Sequence, residues 1–157
     1  MNHDQARAVI EYLRPGVGFN LDGDVFTADT MGNIKWPVGR TDKPTWAEIE
    51  GAFGVAVTAN ARKRKIAETK AEAQKRIYAL IPQWKQSNLT ARAVELHHKK
   101  LNGVTLTQAE LDELTVGFAL WDRAKAVRVA SNLIESDINA SADPANFDVA
   151  GSLRWPA

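Results

Sequence analysis

Between Val55 and Ala140 the chain has one proline, Pro82, and one Asn-Gly pair, Asn102-Gly103; nearly everything else there is helix-prone. That punctuation most constrains the fold. Proline lacks the N–H needed inside a helix but suits the first turn of the next one, and Asn-Gly provides an exit. Before Pro82, Ile66, Ala73, Ile77 and Leu80 fall at spacings of seven, four and three, a heptad-like stripe. After it, Trp84, Leu89, Ala93 and Leu96 form the expected buried edge of a helix ending near Leu101. A third helix should run from Thr107 to about Asn139. On it Leu111, Leu114, Phe118 and Trp121 are spaced three, four and three, and Leu120, Ala124, Val127, Ile134 and Ile138 continue the stripe. No helix has enough heptads for a long isolated coiled coil. Tight connections favour an antiparallel helical hairpin or three-helix bundle over residues 51–140.

Start signals support this division. Thr45 with Glu48, and Thr107 with Glu110, have the S/T-x-x-E spacing of a capping box. Gly51 and Gly54 each cost about 1 kcal/mol against alanine inside a helix, so a break there competes with a helix continuous from Thr45. Upstream, residues 1–50 read as a small α/β module. A short helix over Asp4–Leu13 presents Ala6, Val9, Ile10 and Leu13, and Arg14-Pro15-Gly16 ends it. Val25-Phe26-Thr27 and Asn33-Ile34-Lys35-Trp36 are expected to pair as a hairpin through Ala28–Gly32, with Gly32 or Asn33 at positive φ. Residues 141–157 read as an extended C-terminal arm. The fold class is therefore mainly α, with a small N-terminal helix and β-hairpin.

Composition narrows function mostly by exclusion. Hydrophobic residues make up 45% and charged residues 25% of the 157, ordinary for a globular protein. There is no cysteine, hence no disulfide framework, thiol nucleophile or zinc-thiolate site. No run approaches the roughly 18 apolar residues of a membrane span, and the first residues lack a signal-peptide layout. The net charge of +1 is unevenly distributed: residues 1–51 carry −3, residues 52–101 carry +8, and the remainder carries −4. Such alternation favours pairing within or between subunits as readily as attraction of a polyanion.

Candidate chemistry is sparse. Arg62-Lys63-Arg64-Lys65, followed by Lys70, Lys75 and Arg76, offers a salt-sensitive nucleic-acid contact, but no aromatics interleave for base stacking. A solvated or ion-paired helix face explains the run more simply, so nucleic acid is not the expected partner. His97-His98 are adjacent, about 100° apart on a helix, and unsuited to joint metal ligation. Asp22-Gly23-Asp24 with Asp29 lacks the ligand spacing of a calcium loop and reads as turn chemistry. No phosphate-cradling glycine loop, G-x-S-x-G or HExxH occurs. Neither an enzyme nor a cofactor is expected.

Two motifs remain: Pro82-Gln83-Trp84-Lys85-Gln86-Ser87-Asn88, and Trp121-Asp122-Arg123-Ala124-Lys125-Ala126-Val127-Arg128-Val129-Ala130-Ser131-Asn132. Together, in this order, they resemble a helical module of small tail and tail-fibre-associated proteins of tailed bacteriophages. The first block is similar to a small N-terminal module of phage tail proteins through Tyr12-Leu13-Arg14-Pro15-Gly16, Gly23-Asp24, Ile34-Lys35-Trp36 and Pro44-Thr45 with Glu48-Ile49. The resemblance implies a virion component acting through protein–protein contacts with other tail or fibre subunits, itself a homo-oligomer in a symmetric assembly. It also implies a location in the virion, and in the host cytoplasm during assembly. The alternatives are a tail-fibre assembly chaperone and a nucleic-acid-binding factor using residues 62–76. Within the helical module, Trp84, Gln86, Asn88, Phe118, Trp121 and Arg128 read as fold determinants. Trp84 is expected to pack on Trp121, with Gln86 and Asn88 capping backbone groups or reaching Arg128 and Asn132. Trp36, Trp46 and the terminal Leu153-Arg154-Trp155 are the candidate partner surface, since exposed aromatics with arginine are common interface anchors.

Overall fold

The computed structural model describes residues 1–156 and is mainly α-helical. Its elements are α1 (His3–Leu13), β1 (Asn20–Leu21), β2 (Ile34–Lys35), α2 (Trp46–Leu80), α3 (Gln83–Leu101) and α4 (Gln108–Ala140), with short 3-10 turns at Ala28–Asn33 and Pro144–Asn146. Among the described residues, no helix is long and apolar enough to cross a membrane. The chain forms two compact units. One is Met1–Arg64 with Asp143–Ala145, the other Lys65–Ala142 with Asn146–Ala157. The boundary expected at residue 50 falls inside α2.

In the first unit, α1 starts one residue earlier than its apolar spacing suggested, because Asn2 caps it. The Gln5 N–H donates to Asn2 Oδ1 and the Asn2 N–H donates to Gln5 Oε1, both at 2.9 Å. Val9 and Ile10 of α1 are fully buried with Phe26, Ile34, Ile49 and Ala56. The two-stranded sheet differs from expectation. Ile34–Lys35 pairs antiparallel with Asn20–Leu21, in the register Asn20↔Lys35 and Leu21↔Ile34, and not with Val25–Thr27. Residues 28–33 coil into a 3-10 turn in which the Thr27 N–H donates to Thr30 Oγ1, which carries the chain past the tighter pairing. Val25 instead bridges to Asn2, and the Phe26 N–H donates to Met1 O. The positive φ in this segment belongs to Gly23, at +98°, not to Gly32 or Asn33.

α2 begins at the expected capping box, with the Thr45 N–H donating to Glu48 Oε2 at 2.8 Å and the Glu48 N–H to Thr45 Oγ1 at 3.3 Å. It passes through Gly51 and Gly54 unbroken for 35 residues. Burial of Ile49 and Ala56 on either side holds the glycines in the helix.

In the second unit, α4 is the common element. Lys70 of α2 pairs with Glu135, while Arg76 and Leu80 share a groove with Arg123, Ala126 and Val127, so α2 runs antiparallel to the C-terminal half of α4. Arg92 pairs with Glu113 and Lys99 with Glu110, so α3 runs antiparallel to its N-terminal half. α2 and α3 thus succeed one another along α4, a helix about 50 Å long at 1.5 Å per residue. Of the two expected forms this is the hairpin, its first limb bent at Ile81-Pro82. Ala73, Val127, Ala130, Ile134 and Ile138 form the core, which Val149 and Trp155 complete.

The tail is accordingly not an extended arm. Trp155 is 8% exposed, its indole N–H donates to Val149 O at 2.7 Å, and the Arg76 guanidinium lies 4.9 Å from its ring centroid. Arg154 forms an ion pair with Asp137 at 3.0 Å. Burial of the large indole in the α2/α4 core outweighs the weak local structure of the segment.

Candidate functional site

The two halves of α4 are treated differently. From Ala124 to Ile138, six residues are buried, all but Ser131 apolar. From Gln108 to Arg123 none is, although this half carries Leu111, Leu114, Val116, Phe118, Leu120 and Trp121. On α3, facing it, only Leu96 is buried. The helices enclose an apolar groove lined by Leu89, Ala93, Leu96, Leu114, Gly117, Phe118 and Trp121, with Arg92 and Glu113 beside it. Its volume is about 30 Å³. A small-molecule site needs roughly 300 Å³ or more, so the groove is sized for part of a side chain.

Ion pairs clamp the hairpin. Arg92 reaches Glu95 at 2.8 Å and Glu113 at 3.0 Å, and Lys99 reaches Glu110 at 2.7 Å. Hydrogen bonds from Lys99 and then from the Thr107 backbone hold the Glu110 carboxyl down at about 2. Glu95, and then Glu113, push the Arg92 guanidinium above its ordinary value. Gly103 at φ +74° makes the turn after α3, and Thr107 caps α4 through Glu110.

A second groove, of about 420 Å³, is polar. Gln86 lines it beside Arg128, Ser131 and Asn132, four positions of the paired sequence motif, over a floor of Ala73 and Ile77. Gln86 itself caps the end of α2, donating from Nε2 to Ile81 O at 2.8 Å. That anchors the bend between α2 and α3. Arg128 and Asn132 are exposed at its rim, available for contact with another molecule.

Other expected site residues fall elsewhere. Trp84 is 68% exposed, so it does not anchor α3 against Trp121, and Phe118 is 60% exposed at the groove edge. Asn88 is exposed and Trp121 half-buried. The three candidate partner tryptophans are committed to the fold. Trp36 stacks on Phe19 at 5.9 Å and bonds Asp42, Trp46 packs on the first core, and Trp155 is buried. Leu153, 101% exposed, alone remains open. The basic stretch is partly ion-paired: Lys65 pairs with Glu68, Lys70 with Glu135, and Lys75 and Arg76 share Glu72. Lys63 and Arg64 are exposed. His97 and His98 are exposed, with Asn102 3.0 Å from His98 Nδ1, and Asp22 pairs with Lys35. Sequence reasoning missed the unburied half of α4, since its apolar stripe looks the same as the buried half's.

No family model, no curated protein and no solved structure matches this chain.

Proposed function

We propose that this protein is a non-catalytic assembly component: a bacteriophage virion protein of the tail, baseplate or tail-fibre attachment region. It acts through protein–protein contacts in a symmetric assembly of several copies, and works in the host cytoplasm before joining the virion. The observation that carries the contact part of this reading is the apolar N-terminal half of α4, on which no residue is buried. A monomer gains nothing from leaving Leu111 44% and Phe118 60% exposed two turns apart on one face of α4, whereas an interface does. The phage part rests on the resemblance of the Pro82–Asn88 and Trp121–Asn132 motifs. Leu153 and the rim residues Arg128 and Asn132 are further contact points.

Pairing of Lys65, Lys70, Lys75 and Arg76 with Glu68, Glu135 and Glu72 within the chain weighs against the nucleic-acid reading. The assembly-chaperone reading draws on the same exposed apolar surface, and particle content separates the two. Mass spectrometry of purified particles, from the phage or prophage that encodes the chain, is expected to find it in fixed ratio to the major tail protein. Absence from particles with abundance in infected cells would replace the structural role by the chaperone.

A further inference from the structure

We propose that two copies of this chain associate hairpin to hairpin, α3 of each copy lying against the N-terminal half of α4 of the other. The result is a four-helix bundle closed over the apolar groove. This deepens the assembly reading and rests on it.

The need for a cover comes from burial. Between Pro82 and Arg123, Leu96 is the sole buried residue, while the next four turns of α4 bury six. The difference is one of neighbours: α2 and the tail cover the second stretch, and α3 alone faces the first. Two helices cannot enclose a core between them, and four can.

That the cover is a second copy follows from charge. Residues 83–101 carry Lys85, Arg92, Lys99 and Lys100 against Glu95, a balance of +3. Residues 108–123 carry Glu110, Asp112, Glu113 and Asp122 against Arg123, a balance of −3. A two-fold axis that sets α3 beside the partner's α4 alternates positive and negative helices around the bundle. Setting like against like opposes charges of one sign. Lys85 and Lys100 form no ion pair within the chain among the described residues, so both remain available to the partner's acidic helix. An interface of this symmetry uses the same patch twice, and the patch suits that use. Phe118 stands 60% exposed at the edge of a groove whose floor includes the small residues Ala93 and Gly117. Each Phe118 is the knob for the other copy's groove.

Sedimentation velocity on the full chain, across low to high micromolar concentration, tests this. Wild-type protein is expected to be a dimer, and Phe118→Glu to weaken it at least tenfold with helical circular dichroism unchanged. Val116→Glu is the control: Val116 is exposed on the same helix but 200° away, and should leave the dimer intact. A wild-type monomer at every concentration, a trimer or larger ring, or a dimer broken by Val116→Glu and not by Phe118→Glu would overturn the proposal. Particle content is a separate measurement, so a failed dimer and a failed virion role are told apart.

Discussion

Trp84 and Trp155 are the same residue type in opposite situations. Trp84 follows Pro82 in the first turn of α3 and projects to solvent, 68% exposed. Trp155, in a segment without regular structure, is buried, bonded through its indole N–H and covered by a guanidinium. Replacing Trp155 by alanine removes its packing, its hydrogen bond to Val149 and the Arg76 contact. The expected cost is about 3–5 kcal/mol, the range for truncating a buried tryptophan. Trp84→Ala should change stability by less than about 0.5 kcal/mol, as surface replacements usually do. Chemical denaturation of the two variants checks both. Equal losses would mean that the tail does not strap the α2/α4 core.

At the scale of elements, caps explain where helices start, and burial of Ile49 and Ala56 explains why α2 does not stop at its glycines. Gly51 and Gly54 lie inside α2 with nothing within 4 Å of where a Cβ would sit. Gly51→Ala and Gly54→Ala should each therefore stabilise the protein by about 0.5–1 kcal/mol, read as a rise in melting temperature. The caps also make stability depend on pH. Glu48 is held at about 2 by the Thr45 backbone and then by Arg14, and Glu110 at about 2 by Lys99 and then by Thr107, against an ordinary value of 4.5. Because folding lowers both values, the unfolded chain binds more protons between them. The contribution of these caps is fully present above about pH 4.5 and is lost as pH falls towards 2. Thr107→Ala with Glu110→Gln should flatten the part of the acid-unfolding curve that belongs to the hairpin turn.

At the scale of the whole molecule, the second unit is half packed. α4 supplies a complete apolar stripe, yet one half meets α2 and the tail and the other meets α3 alone. A contact that binds the folded chain and not the unfolded one stabilises by mass action. The melting temperature should therefore rise with protein concentration in the wild type and stay flat in Phe118→Glu, and differential scanning calorimetry at several concentrations reads the difference.

The helices themselves were legible in the sequence. Capping at Thr45 and Thr107, the stop at Pro82, the exit at Asn102-Gly103 and the apolar spacing of α4 are all interactions within a few residues, so local sequence contains the whole cause. The Asn2 cap was equally local: Asn2 with Gln5 has the spacing, but an amide pair is a weaker signal than Thr with Glu. Pairing of β2 with residues 20–21 instead of 25–27 was not legible, because two-residue strands carry no pattern and the 3-10 turn between them sets the register. Nor was the burial of individual apolar residues. Phe118 and Ile134 belong to the same kind of stripe, and one is exposed and the other buried only because different elements pass over them. Trp155 completes the case: seventy-nine positions from Arg76 in the chain, it is buried by a contact no local pattern encodes. Local sequence determined where the helices begin and end, except that α2 runs through Gly51 and Gly54 because Ile49 and Ala56 are buried beside them. Which of their apolar faces are covered was decided by tertiary structure, because burial depends on neighbours distant in the chain.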